Sequence, residues 1–138
     1  MRFIQQLITI LRDAAPEQER KRLSNRRRAI RDRLKWQDSR GSDHECEISF
    51  GFDAQGAIRE VFCLAAKDGS DMQGIVHDAC IAASIALQFG ARISDLAQSF
   101  GELREEGQAA GQGRPASVIG AVARAGVALE LELAEGRG

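Results

Sequence analysis

Three groups of residues in this 138-residue chain have types and spacings that could do chemistry. The first is Lys67-Asp68-Gly69-Ser70, which stands where the apolar run EVFCLAA gives way to a pattern of helical period. Free amides around Gly69, the positive end of a helix dipole and the Lys67 ammonium would together favour a phosphate or carboxylate. Helix capping explains the same residues without a ligand: the Ser70 hydroxyl meets the amide of Gln73, and the Gln73 side chain reaches back. The second group is the basic run between Glu17 and Lys35. Its members Arg26, Arg27, Arg28, Arg31, Arg33 and Lys35 suit backbone phosphates, and Trp36 beside them suits stacking on an unpaired base. The plainer reading is a solvated strand edge whose charges discourage sheet-to-sheet aggregation, with 20 acidic residues in the chain to pair some of the arginines internally. The third group is Cys46, Cys63 and Cys80 with His44 and His77. Their spacing contains no CxxC, which argues against a zinc site or disulfide framework and for a reducing, cytoplasmic setting. The cysteines read as small core residues. His77 has no visible partner, and no serine stands with a histidine and an acid in a nucleophile's pattern. No catalytic residue, metal or cofactor is expected.

The elements that must position these groups follow from periodicity. Ile30, Leu34 and Trp36 at even spacing predict a half-exposed strand near Ile30 to Trp36, with Asp32 interrupting its apolar face. HECEISFGF alternates cleanly over His44 to Phe52, and after the turn residues DAQG a third strand runs from Ala57 to Ala65. Short turns between them make a three-stranded antiparallel meander. Met72, Ile75, Val76, Ala79, Cys80, Ala83 and Leu87 predict a helix from Ser70 to Phe89, stopped by Gly90 and expected to cover one face of the sheet. A short helix from about Ile93 to Leu103 comes next. REEGQAAGQGRPAS has no period and reads as a flexible connection, and Pro115 suits the first turn of a last helix ending near Leu133. The fold class is therefore α+β: a meander packed on a long helix, a second short helix, and helical extensions at both ends. The expected divisions are an arm over residues 1–22, an α+β body over 23–104, a connection over 105–114 and a C-terminal helix and tail over 115–138.

MRFIQQLITILRD puts Phe3, Ile4, Leu7, Ile8, Ile10 and Leu11 among Gln5, Gln6 and Arg12. The polar residues come too early for a membrane span, and no small-residue cleavage site follows. What remains is an amphipathic helix whose apolar side needs a partner: the body of the domain, a second copy, another protein or a membrane surface, of which protein is favoured because the polar face is not strongly cationic. The formal net charge of -1 marks no global preference for nucleic acid.

The order of Glu60-Val61-Phe62, Lys67-Asp68-Gly69-Ser70, Ser84-Ile85-Ala86-Leu87-Gln88-Phe89-Gly90 and Leu96-Ala97-Gln98-Ser99-Phe100 resembles the small accessory domain near the carboxyl end of adenosylcobalamin-dependent ribonucleotide reductases, the TSCPD domain. RLSNRRRA resembles that family's lead-in, with Ser24 in place of a proline, and the likeness runs from Leu23 to Leu103. It implies shared fold and ancestry. It does not carry reductase activity, because the family's catalytic barrel with its radical cysteine lies outside the matching region, and the closing metal-binding cysteine pairs are absent from LELAEGRG. The resemblance implies a non-catalytic, stand-alone module that assembles with itself or with a partner such as a reductase subunit. The residues keep two alternatives open: a nucleic-acid-binding protein using the Arg20 to Lys35 segment, and a nucleotide or phosphate sensor at Lys67, Gly69 and Ser70.

Overall fold

Alternation from Cys46 to Phe52 drives one side of that segment out of water, and its neighbours supply matching strands. The computed structural model of the protein, which describes residues 2–7, 19–66 and 69–136, forms them into a three-stranded antiparallel sheet in the order β1-β2-β3. The strands are β1 (Arg28–Gln37), β2 (Asp43–Phe52) and β3 (Ile58–Leu64). Ile30 stands opposite Phe50, and Phe50 opposite Val61, so one face gathers Cys46, Ile48, Phe50, Phe52, Val61 and Cys63, all buried. The register shifts at Gly51/Phe52. A side chain at Gly51 would run into Glu60 and Leu23, at 2.8 and 2.9 Å, so the lead-in crosses the sheet where only glycine leaves room.

The helices are α1 (residues 2–7), α2 (Asp71–Gln88), α3 (Ile93–Ser99) and α4 (Val118–Glu135). The meander is packed on α2 as the periodicity predicts, but α2 does not lie across the face. It runs along the outer edge of β3, sending Val76, Cys80, Ala83 and Leu87 into the core while other side chains reach β3's main chain. The face itself is closed by α4, which packs Val118, Val122 and Ala123 into the same core and brings Gly126 against Phe50, Ile58 and Ile93. Period alone cannot choose between these placements, because an apolar stripe says that a helix is covered and not by which neighbour.

The second helix ends at Ser99 rather than Leu103, because Glu102–Leu103 forms a strand, β4, that pairs across the segment read as a flexible connection with β5 (Arg114–Pro115). The turn between them is drawn together by the Glu102 carboxylate, which accepts from the amides of Gly111 and Gly113. Pro115 sits in β5 rather than in the last helix, and α4 is capped by the Ser117 hydroxyl accepting from Gly120 N at 3.1 Å.

Candidate functional site

Two of the motifs shared with the resemblance, around Val61 and around Ser84 to Gln88, meet at the outer edge of β3. An edge strand leaves every second residue's amide and carbonyl without a sheet partner, and here side chains supply the partners. Ser84 Oγ accepts from Val61 N at 3.0 Å and donates to Val61 O at 3.2 Å. Gln88 Nε2 donates to Arg59 O, and Gln73 Nε2 donates to Cys63 O. Gln73 Oε1 accepts from the amides of Ala65 and Ala66 at 2.9 and 3.0 Å, and Glu130 Oε1 of α4 accepts from Ile58 N at 2.7 Å. Gln73, Ser84 and Gln88 are all buried. Buried polar groups are tolerated because each is paired, so these residues take the place of a fourth strand.

This corrects the capping expectation by half. Ser70 Oγ does accept from Gln73 N, at 3.2 Å, but the Gln73 side chain turns to β3 rather than back to Ser70. Gly69 has φ +81°, a conformation that favours glycine and makes the turn into α2. Lys67 and Asp68, the other half of the anion-cradle reading, lie outside the described residues.

Arg59 was not singled out by the sequence, since a lone arginine in a strand gives no local signal of its role. Its guanidinium donates to the carbonyls of Leu87 and Ala91, both at 2.9 Å, and to Asp53 Oδ2 at 3.0 Å. A cation so placed satisfies the Leu87 carbonyl in the last turn of α2, ties in the loop that follows at Ala91, and complements the helix dipole. Partial burial raises the Asp53 pKa, but the Ala57 amide and Arg59 outweigh it and hold the carboxyl below its ordinary value. Next to this cluster the chain enters the domain: Lys21 N donates to Gln88 O at 2.9 Å, and Arg20 Nε to Gln88 Oε1 at 2.7 Å.

The basic group is divided by the sheet. Arg31, Arg33 and Lys35 point to the outer face, away from the core, and Arg31 and Arg33 line a shallow basin there of about 660 Å³ with Arg27, Glu60, Phe62 and Leu64. Arg27 Nε is paired to Glu60 at 2.7 Å, and Arg33 lies between Glu45 and Glu47 at 3.5 and 3.9 Å. Arg26, Arg28, Arg31 and Lys35 make no ion pair among the described residues. Trp36 is on the inner face, half-buried and stacked on His44 with ring centres 4.9 Å apart. The aromatic ring beside the arginines is Phe62, 46% exposed and edge-on to His77 of α2.

The three cysteines are brought together in the core, with Cys63 Sγ 3.5 Å from Cys46 Sγ. Burial pushes the Cys80 thiol up to about 11 from 9.0, against a hydrogen bond from the Cys63 amide, and burial raises Cys46 and Cys63 as well. Among the described residues no group of three or more His, Cys, Asp or Glu is arranged to hold a metal ion, and no helix is long and apolar enough to cross a membrane.

An antiparallel meander sealed along one edge by a helix that carries buried Gln and Ser is an α+β module whose shared motif residues build the fold. The TSCPD domain family model matches residues 17–125, and the chain belongs to that family. Residues 1–16, including α1, lie outside the match. Searches of curated proteins and of solved structures found no match.

Proposed function

We propose that the protein is a non-catalytic module of the ribonucleotide reductase accessory type, acting by protein assembly through its N-terminal helix. The observation that carries this reading is α1, where Phe3, Ile4 and Leu7 are 75%, 58% and 46% exposed. Three large apolar side chains turned to water within one stretch of helix call for a covering surface. The family match supports the accessory-type reading, and its start at residue 17 makes the helix an addition to the shared domain. The hydrogen bonds of Arg20 and Lys21 to Gln88 hold the start of the matched region to the end of α2. A cytoplasmic protein partner, either a second copy or a reductase subunit, fits this reading.

Deleting residues 1–14 and measuring molar mass by light scattering tests it. Loss of a dimer or higher species, or loss of a co-purifying subunit, supports the assembly role. An unchanged mass and unchanged partner recovery would reject it. The nucleic-acid alternative has one structural support, the unpaired Arg31 and Lys35 on the outer face. It predicts single-strand binding that weakens steeply with salt.

A further inference from the structure

We propose that the free edge of β1 is a docking site for an extended segment of a partner protein in which acidic and apolar residues alternate. The two edges of the sheet are treated differently. On β3 and the residue just after it, Ile58, Arg59, Val61, Cys63 and Ala65 all have outward main-chain groups taken by side chains of α2 or α4. The alternation of an antiparallel ladder then fixes the other edge: Val61 turns away from β2, so Phe50 turns to Ile30, and Ala29, Arg31, Arg33 and Lys35 present their amides and carbonyls outward. Of these groups, the Arg33 amide donates to Asp32 Oδ1 at 2.8 Å, and the rest have no side-chain partner among the described residues. A sheet edge with unpaired groups is a template for strand addition.

The chemistry of the occupant is set by both faces of β1. On the outer face stand Arg31, Arg33 and Lys35, so a strand laid beside them meets three cations with its outward side chains. β2 already shows the matching pattern, since its Glu45 and Glu47 flank Arg33 while Cys46 and Ile48 go to the core. On the inner face Ile30, Leu34 and Trp36 are only half-buried, whereas Ile48, Phe50 and Cys63 are 5%, 1% and 0% exposed. The gap beside them is a groove of about 450 Å³ between β1 and α4, lined by Leu34, Trp36, Pro115, Ala121, Ala125 and Arg124. Trp36 also has an indole N–H with no acceptor among the described residues. An added strand with carboxylates outward and apolar side chains inward would match the cations, continue the ladder and fill the groove. A second copy of β1 would instead oppose like charges across the join, which is unfavourable. Asp32 guards the edge, because its carboxylate holds one outward amide and sets a charge on the inner face, where the added strand's apolar side chains would lie.

The test uses the full chain and a fluorescein-labelled synthetic peptide alternating Glu with Val, followed by fluorescence anisotropy. Saturable binding is expected. Arg31→Glu with Lys35→Glu should weaken it by about tenfold or more and should create binding to the corresponding Lys–Val peptide. Neither residue is in an ion pair among the described residues, so the double variant should keep the wild-type circular dichroism spectrum. Asp32→Ala should tighten binding of the Glu–Val peptide. The same peptide with alternate amides N-methylated should bind far less, since it cannot complete the ladder. Several outcomes would overturn the proposal: no saturable binding, equal binding to the charge-reversed variant, or equal binding by the methylated peptide. A dimer through β1 that the peptide does not displace would overturn it as well.

Discussion

Replacing Ser84 by alanine separates two accounts of why a serine stands in the middle of α2. If Ser84 is merely a small residue that lets the helix approach the sheet, alanine fills the same space and gains about 0.5 kcal/mol of helix propensity. The structure predicts the opposite sign. Ser84 is 8% exposed and its hydroxyl serves both main-chain groups of Val61, itself 3% exposed, at 3.0 and 3.2 Å. Alanine leaves that amide and carbonyl buried beside a methyl group. Each such orphan costs about 1–3 kcal/mol, and the void left by one oxygen is small, so the loss should be about 2–4 kcal/mol. Against a total stability of about 5–15 kcal/mol this is a large share, and it should lower Tm by about 10 °C. Urea denaturation with wild-type and variant protein measures the free energy, and native-state hydrogen exchange reads the Val61 amide directly. A variant as stable as wild type, with the Val61 amide equally protected, would refute the edge-sealing account.

Other expectations concern the same framework. Ser70→Ala should cost about 1 kcal/mol through loss of the cap on α2, read by chemical denaturation. Gly126→Val should cost about 2–3 kcal/mol, since even the first carbon of a side chain would lie 2.9 Å from Ile93 and 3.2 Å from Phe50. Gln88→Ala should release the lead-in by removing the acceptor of Arg20, which limited trypsin digestion would show as faster cleavage after Arg20, Lys21 or Arg22. Cys80 should resist thiol reagents until the protein unfolds, because burial keeps it protonated. Its folded pKa of about 11 lies above its ordinary 9.0, so its contribution to stability is complete below pH 9 and should fall away between pH 9 and 11, as a denaturation series in that range would show.

The elements themselves were legible because their signals are local. Cys46, Ile48, Phe50 and Phe52 alternate, and all four are buried on one face of β2. Val76, Cys80, Ala83 and Leu87 keep helical spacing, and all four are in the core. The family likeness was legible too, as an order of short motifs that the TSCPD match covers from residue 17 to 125. What those motif residues do was not. Ser84 and Gln88 look like ordinary helix residues, and Gln73 looks like half of a capping box, until a strand more than twenty residues before Ser84 lies beside them. The division of the arginines was equally hidden, because Arg33 meets Glu45 and Glu47 only once β1 and β2 are in register, and Trp36 turns inward with that same register. Periodicity reports how much of an element is covered, so sequence alone determined the three strands of the meander, the long helix and the apolar residues that they send to the core, and it missed the β4–β5 ribbon, whose two-residue strands are too short to show a period. Which neighbour covers each face depends on contacts between residues far apart in the chain. Tertiary structure therefore decided that α2 seals the β3 edge, that α4 closes the core, and that the edge of β1 stays open.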